Sequence, residues 1–327
     1  MVNVKLQTIK TAGNSRNFMK ISIKKDTHIG NQPIRVLKHN LTSRLEERNE
    51  EYIKSLQSDF KLNKSIIYNI KDLPLNQKQL PFIDDKGTIN IHETFLSYSW
   101  IICYYFFVLH EESFAIPDHI NRGVETPKDH NPELIKPAEE LFNYAKLLIV
   151  LFEDWDIEKL PNPEYFDENT PEGWYILRTN DLFVETLNFV LYHEIAHAEL
   201  EHIKKIKEEN LSNEERKKLE LEADSRAIEL ILLNCRNKNA SSISITIGLA
   251  SLLFFKNNLN GGNKHPNIDD RLENAINIIN PEEDSSVWTM LCIFLKVWDK
   301  QFNLGLQQKE EYDTYKELFY DLITQVK

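Results

Sequence analysis

Seventeen consecutive residues, Asp181 to His197, contain neither Gly nor Pro and are dominated by apolar side chains. Such a run has no local breaker and reads as a buried helix. It ends in His193-Glu194-Ile195-Ala196-His197. Residues at i and i+4 project from one helix face, one turn apart. Two imidazoles so placed reach a single Zn²⁺ at about 2.0–2.1 Å, with Glu194 beside the first of them as a general base. Unpaired polar groups are costly to bury, so a purely structural helix has little use for two His and a Glu in this setting.

A catalytic zinc takes three protein ligands and keeps one position open. His202 follows His193 by nine positions, which on a continuous helix turns it by about 180°. It also misses the H-E-x-x-H-x-x-G-x-x-H spacing by one residue and lacks the Gly, so it is set aside as a ligand. Ser212 and Glu215 form a capping box that opens a helix to about residue 234. On it Glu220, Ala223, Asp224, Ala227 and Ile231 share a face, whereas Glu222 points away. Glu220 is the expected third ligand. Asp224 is placed to accept the other ring N–H of a ligand histidine. Downstream, His265-Pro266 and Arg271 stand at a loop-to-helix junction. They read either as oxyanion-binding groups or as the start of an ordinary helix whose Arg pairs with nearby acids.

The rest of the chain bounds the setting. Its 327 residues are 41% hydrophobic and 28% charged, ordinary globular values. The net charge of −12 argues against nucleic acid and anionic membrane as partners. Residues 1–44 nevertheless hold nine Lys/Arg against one acid, which reads as Lys-rich edge strands or as a basic arm for an acidic partner. Cys103, Cys235 and Cys292 lie in apolar stretches without a C-x-x-C and read as buried free thiols. Phe95 to Leu109, the most apolar segment, spans only about 22 Å as a helix and reads as core. With no apolar run near the start, a cytoplasmic protein is expected.

Short alternations at 2–9 and 18–24 suggest strands, and 80–83 with 88–91 flank a Gly-ended turn as a hairpin. Helices are expected at about 43–60, 92–112, 132–153, 180–207, 213–234, 241–256, 266–279, 285–304 and 308–326. Residues 154–179 read as a long loop, a candidate cover for the cleft. The expected class is mainly α (α+β): an N-terminal segment 1–79 with a small β element, a helical core 80–280, and C-terminal helices 281–327.

His193-Glu194-x-x-His197 with Glu220-x-x-x-Asp224 resembles the gluzincin metallopeptidases. The stretch Glu220 to Ala227, His202 and His265-Pro266-x-x-x-x-Arg271 are similar to the CaaX prenyl protease and HtpX peptidases. In those enzymes the corresponding His and Arg lie near the substrate oxyanion. This chain lacks their transmembrane helices and has Ala196 where a Gly is frequent. In size and in the segment from Glu93 to Leu109 it resembles the Lit-type phage-exclusion peptidases over about 80–280. That resemblance implies one Zn²⁺, a protein substrate such as a translation elongation factor, a phage-derived activator and a role in defence. Two other readings stand beside it: a regulatory metalloprotease acting on one repressor, and a non-enzymatic partner-sensing module with a structural metal or none.

Overall fold

A computed structural model describes residues 29–77, 79–233 and 235–327, together with the backbone of two short antiparallel strands, β1 (Gln7–Thr8) and β2 (Met19–Lys20). The rest of the expected strands at 2–9 and 18–24 lies outside the described residues. Next come α1 (Lys38–Arg48), α2 (Glu50–Ser58), β3 (Ile67–Asn69), β4 (Phe82–Ile83) and β5 (Ile89–His92). The remainder is helical: α3 (Glu93–His110), α4 (Ile116–Asn121), α5 (Ile135–Val150), α6 (Pro171–Glu199), α7 (His202–Glu208), α8 (Asn213–Leu233), α9 (Lys238–Ala250), α10 (Ile268–Ile279), α11 (Ser286–Phe302) and α12 (Tyr315–Thr324). The chain is thus mainly α with a small β element. The sheet order is β3-β5-β4, and the β4–β5 hairpin pairs Phe82 with Asn90 and Ile83 with Ile89.

The chain forms two compact units. The first comprises Met1–Ser43, Tyr68–Leu80 and His92–Val184; the second comprises Arg44–Ile67, Pro81–Ile91 and Glu185–Lys327. In the first, α3 packs on α5. Its side chains are buried on nearly every face, the pattern of a central core helix. Trp100 stacks on Tyr104 at 5.3 Å and donates to Asn180 Oδ1 at 2.8 Å, so its one polar atom is satisfied. Both tryptophans of the expected loop pack within this unit, Trp155 against Trp100 and Tyr144, and Trp174 against Phe107. The loop is also shorter than expected, because α6 begins at Pro171. Pro at the first helical position loses no hydrogen bond, and Thr170 Oγ1 caps Gly173 N at 3.0 Å. Gly173 is required there: a Cβ would stand 1.9 Å from Asp167 O.

In the second unit α8, α9 and α10 pack on one another, and α11 packs on α9 and α12. Lys238–Phe255 is apolar and long enough, by composition, to cross a membrane, with a mean hydropathy of 1.2. More than half of it is buried, and Ile245, Ile247, Leu253 and Phe254 belong to the core. Cys103 and Cys292 are buried and Cys235 is partly exposed, and none of the three is in a disulfide.

Two expected helices are each split. The helix at 43–60 breaks at Asn49, which leaves helical geometry while its amide donates to Tyr192 Oη at 3.0 Å and Leu230 O at 3.2 Å. The helix at 180–207 breaks after Glu199, where Glu201 adopts a left-handed φ of 56°. The described Lys and Arg of residues 1–44 are paired within their own units. Arg35 pairs with Glu164, Lys38 with the buried Glu93, and Arg44 with Glu185.

Candidate metal centre

The second half of α6 carries His193, Glu194 and His197, all buried. Its outer side is fixed by polar contacts within the same unit. Tyr192 Oη donates to Leu45 O at 3.2 Å, Glu185 takes Arg44 and Arg48, and Glu199 accepts both a bidentate Arg226 and Tyr52 Oη. The capping box at Ser212 and Glu215 forms as expected, with Ser212 N donating to Glu215 Oε2 at 2.8 Å. It sets the start of α8, whose Ala223, Asp224 and Ala227 are fully buried. This is the small-residue face that carries Glu220.

One ligand atom each from His193, His197 and Glu220 lies within 4.8 Å of the others. His193 Nε2 and His197 Nε2 are 3.1 Å apart, and the Glu220 oxygens stand 3.6 and 3.5 Å from them. Tetrahedral N and O ligands at 2.0–2.1 Å from zinc are separated by about 3.3 Å. The donor set and its spacing fit that metal.

Hydrogen bonds fix which ring nitrogens face this point. Asp224 Oδ1 lies 2.8 Å from His193 Nδ1. A carboxylate only accepts, so Nδ1 carries the proton and Nε2 is the atom turned toward Glu220. Arg271 in turn grips Asp224 through Nε to Oδ2 and Nη2 to Oδ1, both at 2.6 Å. His197 is held by a longer relay. Glu222 Oε2 lies 3.1 Å from His202 Nε2, and His202 Nδ1 lies 3.0 Å from His197 Nδ1. The acceptor Glu222 places the proton of a neutral His202 on Nε2. His202 Nδ1 then accepts from His197 Nδ1–H, leaving a lone pair on His197 Nε2.

Burial lowers the His202 pKa, and burial together with the His193 charge lowers that of His197 to about 3, so both rings are neutral. Burial pulls His193 the same way, but the hydrogen bond and charge of Asp224 outweigh it and the pKa is raised. Burial raises Glu194 to about 7, against the opposing charge of His193 and a backbone hydrogen bond at Ile83. Glu220 stays ionised: its two histidines and His265 overcome the cost of burial.

His265 Nδ1 sits 3.0 Å from Glu220 Oε2 with more than half of its side chain exposed. Its turn depends on Gly261, where a Cβ would stand 1.8 Å from Pro266 O. The candidate site residues singled out in the sequence thus all lie in the second unit. Sequence reasoning missed the His202–Glu222 relay, because the angular argument assumed a continuous helix. Glu201 breaks that helix and folds His202 back onto His197, and Glu carries no signal for a left-handed conformation. The five-residue spacing between His197 and His202 was the only available clue.

No curated protein and no solved structure matches the chain. The model of the Peptidase U49 family matches residues 89–291, a span that takes in α6, α8 and α10 with every residue of this centre. The chain belongs to the Peptidase U49 family.

Proposed function

We propose that this peptidase is a zinc-dependent endopeptidase acting on a protein substrate, with His193, His197 and Glu220 as the metal ligands. The observation that carries the reading is the meeting of two imidazole nitrogens 3.1 Å apart with the carboxylate of Glu220, whose two oxygens stand 3.6 and 3.5 Å from them, beside the buried Glu194 on α6. A zinc ion held there supplies Lewis acidity to a water molecule and to the scissile carbonyl. Glu194 takes a proton from the water and hands it to the leaving amine. Its raised pKa suits a group that must alternate between the two states. Arg271 is committed to Asp224 and acts through it as a positioning residue. His265, beside Glu220 and half-exposed, is the group able to approach a developing oxyanion.

The Lit-type resemblance extends the proposal. The substrate is a translation elongation factor, the trigger is a phage-derived component, and the setting is defence in the cytoplasm. The deciding experiment exposes the purified protein to host lysate with and without phage components and identifies the new N-termini. Stoichiometric zinc with cleavage supports the reading; a metal-free protein that still cleaves would sink the zinc assignment.

The relay adds a specific expectation. Removing an outer partner of a ligand histidine lowers metal affinity about 10- to 100-fold. His202→Ala should do so in a chelator competition, and Glu222→Ala should do less because its carboxylate is half in solvent. Unchanged affinity in His202→Ala would count against the tautomer assignment.

A further inference from the structure

The turn that closes α2 is a Schellman motif. Phe60 N donates to Gln57 O at 3.3 Å, and Lys61 N donates to Leu56 O at 2.9 Å. The residue between, Phe60, takes φ 57°. Gly and Asn adopt that conformation readily; an aromatic residue does so under strain. The ring is 93% exposed, so burial does not repay the strain.

Among the described residues, the positive-φ positions other than Gly are three Asn, Glu201 and Phe60. Glu201 and Phe60 line the same cleft of about 420 Å³, and His197 lines it too. The strain at Glu201 has a use within the fold, since it turns His202 toward His197. The turn that closes α2 uses the left-handed φ at Phe60, but it does not call for an aromatic side chain there. The place of Phe60 is nevertheless fixed, because Asn63 N donates to Gly87 O at 2.7 Å and a Cβ on Gly87 would meet Lys61 O at 2.3 Å. Of the neighbouring lysines, Lys61 and Lys204 already face Glu201, at 3.2 and 3.9 Å. The aromatic ring of Phe60 is an exposed apolar feature of this cleft.

We infer that Phe60 is a specificity-determining residue that packs against an apolar side chain of the substrate polypeptide in the cleft that His197 lines. The inference rests on the metallopeptidase reading above. The test uses the zinc-loaded full chain and two metal-binding probes, acetohydroxamate and phenylalanine hydroxamate, followed by calorimetry. Wild type should bind the aromatic probe about five- to tenfold more tightly than the plain one. Phe60→Asn should lose that preference while binding acetohydroxamate as before, and Phe60→Leu should restore most of it. The melting temperature of Phe60→Asn should be unchanged or slightly higher, because Asn suits the turn. A preference that survives in Phe60→Asn, or a melting temperature several degrees lower, would overturn the inference alone. Failure of wild type to bind either hydroxamate would overturn it together with the metal reading.

Discussion

Glu194→Gln should retain zinc and a native melting curve yet lose proteolysis by about 10²–10⁴-fold, the usual contribution of a general base. The substitution is nearly isosteric and leaves His193, His197 and Glu220 untouched. It removes only the ability to take and return a proton at a buried position. Metal content by mass spectrometry and the appearance of new substrate termini measure the two halves separately. Activity within a few-fold of wild type would remove Glu194 from the reaction. Loss of zinc as well would make it a structural member of the centre.

Asp224→Ala should be the most damaging change to stability. Asp224 is fully buried and holds His193 with one oxygen while Arg271 grips both. Removing one partner of a buried ion pair costs about 3–5 kcal/mol, chiefly because the other charge is left without compensation. Here that charge is Arg271, whose side chain is 12% exposed and whose protonated form Asp224 favours against the cost of burial. Metal affinity should fall as well, by about 10- to 100-fold, because His193 loses the group that sets its tautomer. The double variant Asp224→Ala/Arg271→Leu separates the effects. It should recover much of the stability, as apolar replacement of a buried pair often does, without recovering the affinity. Equal affinity in wild type and double variant would show that Asp224 serves the fold and not the ligand.

The sequence carried much of this site, for an identifiable reason. His193, His197, Glu220 and Asp224 all lie on uninterrupted helical turns, where spacing translates directly into direction. The β4–β5 hairpin was equally legible, because a Gly-ended turn between alternating runs has one common outcome. What failed were the places where tertiary contacts override local preference. Asn49 breaks a helix in exchange for Tyr192 and Leu230. Glu201 bends the chain without a Gly. Pro171 and Gly173 read as loop residues although they open α6. The partnership of Glu222 with His202 depended on one of these breaks and could not be read before it was known.

The centre draws its side chains from α6, α8 and α10, stretches far apart along the chain. A cation seated there joins segments that the peptide bond does not, so its binding energy is also folding energy. With zinc bound as proposed, the loaded and metal-free chains should differ in heat resistance and in exposure to housekeeping proteases. Zinc supply would set how long a molecule survives as well as whether it can act. A cell short of the ion would clear this enzyme rather than store it idle.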